Sequence, residues 1–185
     1  PDPAKVIRVS GLSVELLAGQ IDLGGIVKGW TADLAAEHLA TDHRNAFVNA
    51  GGDIRCLGDA ATGTGWAMDV SAPAGSTGWN GRLTGAIATS TTLKRRWKVR
   101  GGGEAHHLID PRTGRSAETG WWAVSALAAS ATTANVAATA GMLLDADAPA
   151  WFAERGLHGL FTQWSGSGRA TAHTVGRWPG MEGAA

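Results

Sequence analysis

Two glycine pairs and a glycine triplet divide this chain into short apolar segments, which limits the folds open to it. Gly24–Gly25 and Gly51–Gly52 each follow a short apolar run, and 101–103 separates two further runs. Glycine weakens the interior of both helices and strands, so such groups favour turns over long continuous elements. We therefore expect many short strands with few helices between them.

Strand and helix signals follow one another irregularly. Strands are predicted in "KVIRVSGLSVELLAGQIDL" (two), "NAFVNAGGDIRCLG", "GWAMDVSAP", "GRLTGAIATSTT", "WWAVSALAAS", "GLHGLFTQWS" and "RATAHTVG", with a hairpin in "RRWKVRGGGEAHHLIDP". Apolar residues at near-helical spacing, among them Trp30 and Leu34, predict a helix over about 26–40, and two more are predicted in "ATTANVAATAGMLLDAD" and from 147 to 153. The tail "RWPGMEGAA" is expected to fray. Because no regular strand–helix–strand repeat appears, we predict an α+β fold in one domain, 1–185.

The composition narrows the class of protein. With 44% hydrophobic residues, 17% charged residues and no net charge, the chain is neither disordered nor drawn as a whole to nucleic acid. Its one cysteine, Cys56, excludes an internal disulfide framework. No run reaches the roughly 20 apolar residues of a spanning helix, so no stable membrane span is expected. Function is therefore expected from local sites.

The first residues bear on location. The chain begins with Pro1 rather than methionine, which we interpret as processing or as a fragment. The segment "PDPAKVIRVS" lacks the charged and apolar regions of a signal peptide. We expect a cytoplasmic protein if the chain is complete, and an exported one if an N-terminal signal has been removed.

The glycine pairs are candidate ligand contacts. In "IDLGGIVKGW", Gly24–Gly25 precedes a predicted helix whose first N–H groups, with Lys28, would suit a phosphate. The stretch matches neither common phosphate motif, so a purely structural strand-to-helix turn fits equally well. In "NAGGDIR", Gly51–Gly52 would let a ligand approach Asp53. The structural alternative is a β-bulge with a surface ion pair between Asp53 and Arg55.

The segment "KRRWKVRGGGEAHHLIDPRTG" combines a basic run with two histidines. We interpret 94–100 as a charged edge strand, and the alternative, RNA binding with Trp97 interleaved, conflicts with the neutral chain. His106 and His107 are candidate proton carriers near neutral pH, and Asp110 could orient one of them or accept a proton. As zinc ligands these residues lack a partner cluster. The letters "DPRTG" are also a good turn sequence.

The alanine-rich helix carries oxygen atoms on one face. Asn135 and Thr139 are four residues apart and stack on a helix, with Thr132 one turn earlier. Such oxygens suit Mg²⁺, which prefers hard ligands and substrate phosphates. The alternative is close helix packing through the alanines.

Taken together and in this order, these stretches resemble the ApbE-like FAD:protein FMN transferase (flavin transferase) family. The corresponding segments are "DLGGIVKG", "NAGGDIR", "IATSTT", "HHLIDPRTG" and "NVAATA", which span about 21–144. Each match is weak alone, but all of them in one order are specific. The resemblance implies an α+β, T-fold-like architecture with a mixed, largely antiparallel sheet packed with helices.

The resemblance also implies a Mg²⁺-dependent transferase of a phosphorus-containing group. Such an enzyme binds FAD, cleaves its pyrophosphate, joins FMN to a threonine hydroxyl of an acceptor protein and releases AMP. The Val27 carbonyl would bind Mg²⁺ with Asn135 and Thr139, and His107 would act as base or phosphate contact, supported by Asp110. The residues expected to contact the flavin nucleotide are Gly24, Gly25, Lys28, Asn49, Gly51, Gly52, Asp53, Thr89, Ser90 and His107.

Three departures from the family pattern bear on activity. Asn135 stands where many members have an aspartate, and its neutral amide stabilises Mg²⁺ less. Thr91 and Thr92 replace a Gly-Asp that often follows "ATS". The family usually has a longer part before the glycine turn, so a homodimer, a partner chain or that segment would complete the flavin cleft. The alternative function is an FAD- or FMN-binding module with weak or no transfer, and neither function involves nucleic acid.

Overall fold

The structure is a computed structural model that describes residues 5–70, 78–164 and 170–181. Its strands are β1 (Ile7–Ser10), β2 (Ser13–Leu16), β3 (Ala46–Ala50), β4 (Asp53–Leu57), β5 (Trp66–Val70), β6 (Trp79–Leu83), β7 (Gly85–Thr91), β8 (Arg96–Lys98), β9 (Glu104–His106), β10 (Ile109–Asp110), β11 (Arg115–Ser116), β12 (Ala123–Ala128), β13 (His158–Trp164) and β14 (Ala170–Val175). The helices are α1 (Val27–Ala40), α2 (Ala131–Leu144) and α3 (Ala148–Glu154), with a 3-10 turn at Asp145–Asp147. The last three residues of "GWAMDVSAP" lie outside the described ranges.

A six-stranded sheet in the order β14-β13-β12-β7-β4-β3 forms the centre of the fold, and all its neighbouring strands are antiparallel. The central strand β12 is buried on both faces, as expected for alternating side chains between two layers. Val124 and Ala126 pack with residues of α2 and α3, whereas Leu127 packs with the β5–β6 hairpin. The α+β prediction with a largely antiparallel sheet is confirmed.

The C-terminal tail does not fray over its described part. Trp178 is 1% exposed and its ring meets that of Trp79 edge-on, with centroids 5.6 Å apart. The Trp79 indole N–H donates to the Pro179 carbonyl at 2.6 Å. The prediction of a frayed tail is therefore wrong as far as residue 181. Burying the apolar surface of the two tryptophans stabilises this segment against the loss of conformational entropy that ordering it requires.

Helix α1 is where it was predicted, but its small residues, not its large apolar ones, form the buried face. Gly29, Ala32 and Ala36 are buried, whereas Trp30 and Leu34 are 53% and 47% exposed. A Cβ on Gly29 would lie 2.9 Å from the Cα of Thr132, which is closer than real Cβ contacts. The helix therefore approaches α2 so closely that only small side chains fit between them.

The glycine groups form the expected turns. Gly51 and Gly52 both have positive φ, +67° and +103°, and connect β3 to β4 in a two-residue hairpin turn that pairs Ala50 with Asp53. Both backbone conformations favour glycine over any residue with a side chain. The register of the described strands contains no bulge here, so the β-bulge alternative is wrong. The triplet 101–103 connects β8 to β9, which confirms that predicted hairpin.

None of the helices in the described ranges is long and apolar enough to cross a membrane.

Candidate active site

Three of the predicted clusters meet at Asp53, the first residue of β4. Its Oδ2 atom accepts a hydrogen bond from Lys28 Nζ at 2.8 Å and another from Asn135 Nδ2 at 2.7 Å. Asp53 is 1% exposed and Asn135 3% exposed, whereas the Lys28 side chain is 31% exposed. One carboxylate thus connects the start of α1, the β3–β4 hairpin and the middle of α2.

Burial raises the pKa of the Asp53 carboxyl, and Lys28, through its hydrogen bond and charge, and Arg95, through its charge, oppose that rise. The predicted surface ion pair between Asp53 and Arg55 is not what the structure shows. Arg55 instead lies 3.5 Å from Asp33 and donates to the Ala129 carbonyl. The short sequence distance between the two residues was misleading because each side chain meets a different residue of α1, Lys28 for Asp53 and Asp33 for Arg55.

Asp33 holds the N-terminus of α2 against α1. Its carboxylate accepts from the backbone N–H groups of Ala131 and Thr132 at 2.7 and 2.9 Å and from the Thr132 hydroxyl at 2.6 Å. A carboxylate at a helix N-terminus is favourable because it satisfies free N–H groups at the positive end of the dipole. Asp33 therefore fixes the helix that presents Asn135 and Thr139, a role that its place on a helix face did not reveal in the sequence.

The first glycine turn meets α2 at Thr139. The Gly24 N–H donates to Asp22 Oδ1 at 2.7 Å, which closes the turn, and a Cβ on Gly25 would lie 3.7 Å from the Thr139 methyl group. The Thr139 hydroxyl also lies 3.0 Å from the Ser90 hydroxyl on β7. The Val27 carbonyl begins α1 and accepts from the Thr31 hydroxyl at 2.8 Å. The predicted metal ligands thus come from two helices that approach each other at this turn.

Two buried oxygen atoms of the cluster lack a hydrogen-bond partner among the described residues: Asp53 Oδ1 and Asn135 Oδ1. A buried acceptor left unsatisfied costs about 1–3 kcal/mol, so these atoms favour a bound donor or cation. Asn135 Oδ1 and the Thr139 hydroxyl form an oxygen-only donor set, which suits Mg²⁺. In the part of the chain that the structure describes, no group of three or more His, Cys, Asp or Glu residues could hold a metal, so any cation here depends on neutral oxygens as well.

The two histidines differ in their surroundings. His106 is buried and its Nε2 atom lies 3.0 Å from the Ala117 carbonyl, so it belongs to the structural framework. The pKa of His107 is lowered, first by burial and then by the charges of Arg95, His106 and Lys28, against a hydrogen bond with the Lys94 backbone. The Nδ1 atoms of both histidines are buried and have no hydrogen-bond partner within the described ranges. His107 is therefore neutral near pH 7 and free to accept a proton.

Asp110 builds the turn that follows the histidines. Both its oxygens accept hydrogen bonds from the Arg112 guanidinium, at 2.8 to 3.1 Å, and these bonds lower its pKa. Arg112 also donates to the Leu143 carbonyl at 2.9 Å, near the C-terminal end of α2. Arg112 thus connects the "DPRTG" turn to α2, the helix that carries Asn135. Asp110 contributes by holding the Arg112 guanidinium in place.

Two predicted flavin contacts lie away from this cluster. Thr89 points to the opposite face of β7 from Ser90, because neighbouring residues of a strand alternate. Its hydroxyl lies 2.7 Å from that of Ser125, beside a cavity of about 80 Å³ that Trp122 also lines. Asn49 is exposed, and its Oδ1 atom accepts from the Gly52 N–H at 2.7 Å within the hairpin turn.

Sequence reasoning missed Arg95 as a residue near the site. It was predicted only as part of the basic run, yet its charge acts on both Asp53 and His107. Its backbone has a φ of +52°, a conformation that is uncommon for residues other than glycine and marks strained functional segments. No spacing rule in the sequence would have indicated this.

The chain is similar to proteins of known family over most of its length. The family model for the ApbE family matches residues 5–161. An FAD:protein FMN transferase of Rhodobacter capsulatus is 33% identical over 162 residues, covering 75% of this chain and 31% of the relative. One of Treponema pallidum is 34% identical over 139 residues, covering 68% of this chain and 38% of the relative. The chain therefore spans less than half the length of these relatives.

Solved structures give the same result. The crystal structure of the ApbE protein of Thermotoga maritima matches with a TM-score of 0.79 at 32% identity, covering 92% of this chain and 57% of that one. The flavin transferase ApbE of Vibrio cholerae matches with a TM-score of 0.77 at 26% identity, covering 92% and 56%. Together with the family match over most of the sequence, these similarities show that the chain belongs to the ApbE family.

Proposed function

We propose that this chain is the part of an FAD:protein FMN transferase that activates the pyrophosphate of FAD for transfer of FMN to a threonine hydroxyl of an acceptor protein. The observation that carries the proposal is the convergence on Asp53 of Lys28, from the glycine turn, and Asn135, from α2. The family relatives, which are named FAD:protein FMN transferase, supply the reaction class.

The chain's own groups account for binding and proton transfer. Lys28 is partly exposed beside the glycine turn and would attract the pyrophosphate near the positive end of the α1 dipole. The threonine oxygen forms a bond to the phosphorus of the FMN half while the bond from that phosphorus to the bridging oxygen breaks, and AMP leaves with the bridging oxygen. The threonine proton passes to neutral His107, which its lowered pKa leaves able to accept it.

The oxygen-only donor set supports Mg²⁺ as the cofactor. Asn135 Oδ1 and the Thr139 hydroxyl would hold it, with the Val27 carbonyl as the third ligand. When bound, Mg²⁺ would neutralise charge on the pyrophosphate and on the leaving AMP.

A transfer assay tests the proposal. The protein is incubated with FAD, Mg²⁺ and an acceptor protein that carries a flavinylation motif, and the acceptor is analysed by mass spectrometry. We expect a mass increase of one FMN group, absent when the acceptor threonine is replaced by alanine. His107→Ala should slow transfer at least about tenfold and leave FAD binding measurable. An undiminished rate for this variant would remove His107 from the mechanism.

The neutral Asn135 favours a second candidate, an FAD- or FMN-binding module with weak or no transfer. Its amide oxygen stabilises a cation less than a carboxylate would. The test uses a high concentration of an acceptor protein that a longer family member flavinylates. If FAD stays bound and no FMN adduct forms on this acceptor, the result supports the binding module and contradicts the transferase.

A further inference from the structure

The amide of Asn135 has one end that a cation attracts and one that it repels. Its oxygen can be a ligand, whereas its NH₂ group carries only positive partial charge outward. The two ends have nearly the same shape, so packing alone does not decide which one faces a given direction. An asparagine that serves as a metal ligand therefore needs a neighbour that selects the orientation.

Asp53 is such a neighbour. An ionised carboxylate only accepts hydrogen bonds, so it can pair with the NH₂ end of the amide and not with the oxygen end. The pair is made at 2.7 Å between two side chains that are 1% and 3% exposed. The oxygen end, Asn135 Oδ1, is left buried without a partner in the described part of the chain.

Lys28 reinforces this arrangement. Its ammonium group donates to the same oxygen, Asp53 Oδ2, at 2.8 Å. Oδ2 thus accepts from both Lys28 and Asn135, so toward the amide it is an acceptor and pairs with the NH₂ end. Two charge-assisted hydrogen bonds therefore meet at Asp53. Lys28 and Asn135 are the donors in these bonds, and Asp53 Oδ2 is the acceptor in both.

We infer that Asp53 is a positioning residue that turns the Asn135 amide so that its oxygen, rather than its nitrogen, faces a divalent cation. The inference rests on the proposed function, since it concerns the cation that the transferase would use. A neutral ligand can then serve at position 135 because the negative charge is on Asp53, which contacts the amide nitrogen and orients the amide. Partners of metal ligands that act in this way are typically worth ten- to hundredfold in metal affinity.

A double-mutant cycle with Mn²⁺ tests the inference. Mn²⁺ binding is followed by the loss of the free-ion electron paramagnetic resonance signal, without flavin or acceptor. Asp53→Asn should weaken binding roughly ten- to hundredfold, because an asparagine at 53 no longer selects the amide orientation. Asn135→Asp should bind Mn²⁺ more tightly than the native chain. A carboxylate has two equivalent oxygens and needs no orientation, so adding Asp53→Asn to Asn135→Asp should change the affinity by less than about threefold.

Each other outcome contradicts the inference. If Asp53→Asn leaves Mn²⁺ binding unchanged in the native background, Asp53 does not orient the ligand. If it weakens binding tenfold or more in the Asn135→Asp background as well, Asp53 is a direct ligand or a general structural residue. If neither the native chain nor Asn135→Asp binds Mn²⁺, the cation part of the proposed function fails too. If the effects of the two substitutions on Mn²⁺ affinity simply add, and the native protein still transfers FMN, the inference fails while the proposed function stands.

Two controls keep the cycle interpretable. Asp42→Asn removes one carboxylate charge at an exposed position beyond the end of α1 and should leave Mn²⁺ affinity unchanged. Thermal unfolding of each variant identifies the folded fraction, to which the binding data are normalised. The double variant retains a complementary pair, since the amide introduced at position 53 can donate to the carboxylate introduced at position 135, so it is expected to fold.

Discussion

At the residue scale, the site depends on which side chains are already occupied. Asp110 is taken up by Arg112 and His106 by the Ala117 carbonyl, so neither is available to a substrate. His107 is only half-buried, and its surroundings lower its pKa. His107 is thus better suited than buried His106 to proton transfer.

The lowered pKa of His107 predicts the pH dependence of the proposed FMN transfer. Burial and the neighbouring positive charges place it below the usual 6.5, so the ring is neutral at pH 7 and becomes protonated only on acidification below 6.5. The rate should be constant from about pH 7 upward and fall as the pH drops through the lowered value. His107→Gln should abolish this acidic limb, while exposed His43→Gln should retain it. A limb centred above 6.5 would contradict the assignment.

The same shift has a consequence for stability. Because the unfolded chain binds a proton more readily than the folded one, the contribution of His107 to stability is fully present above pH 6.5 and is lost as the pH falls through the lowered value. Denaturant unfolding of native protein and His107→Gln at several pH values measures this difference.

At the element scale, the approach of α1 to α2 decides whether Lys28 and Asn135 reach the same carboxylate. Gly29 lies against the backbone of α2, and Asp33 one turn later caps that helix. The hairpin turn at Gly51 and Gly52 brings Asp53 to the same place from the sheet. The cluster therefore depends on two tight backbone features as much as on its polar side chains.

Replacing Gly29 with alanine tests the helix contact. The gain in helix propensity is about 1 kcal/mol, but the new Cβ would lie 2.9 Å from Thr132 Cα, and overpacking of this kind costs about 1–3 kcal/mol. We expect Gly29→Ala to lower the free energy of unfolding and to weaken Mn²⁺ binding, as measured by denaturant titration and electron paramagnetic resonance. Glu37→Ala, on the exposed side of α1, should do neither. A stabilised Gly29→Ala variant would show that the helices can move apart freely.

At the scale of the whole molecule, the sheet separates two apolar layers with different tasks. The helices on one face carry the polar cluster, and the β5–β6 hairpin with the C-terminal segment closes the other face. Trp79 and Trp178 contact each other in that second layer, although they are far apart in sequence. The described part of the tail, as far as residue 181, thereby belongs to the core.

Trp178→Ala should remove much of that second layer. Truncating a fully buried tryptophan typically costs about 3–5 kcal/mol, and Trp178 is 1% exposed. We expect a loss of this size in denaturant unfolding, with the Mn²⁺ affinity of the folded protein unchanged because the cluster lies across the sheet. Trp97→Ala, at a position 50% exposed, is the matched control and should change stability by less than about 0.5 kcal/mol. Equal effects of the two substitutions would contradict the packing role of Trp178.

Much of the fold could be predicted because it depends on local patterns. Glycine groups determine where the chain turns, and alternation or helical spacing determines the type of element, so most of the elements were predictable over the described residues. The single strand predicted in "GRLTGAIATSTT" is wrong, because that stretch holds the end of β6 and all of β7. The short strands β10 and β11 were not predicted. The face that α1 buries was not predictable, since apolar periodicity favours the side with Trp30 and Leu34. Close helix packing favours small residues instead, and closeness is a property of the pair of helices.

The candidate site divides in the same way. Motifs such as "DLGGIVKG" and "HHLIDPRTG" are local in the chain, so the amino-acid sequence was enough to predict the family and the residue types near the cluster. The pairing of Asp53 with Lys28 and Asn135 instead of Arg55, and the orientation of Thr89 away from the cluster, became known from the folded molecule. These contacts depend on which polar side chains the tertiary structure buries next to one another. A buried charge needs partners that are adjacent in space, and for Asp53 those partners are distant in sequence.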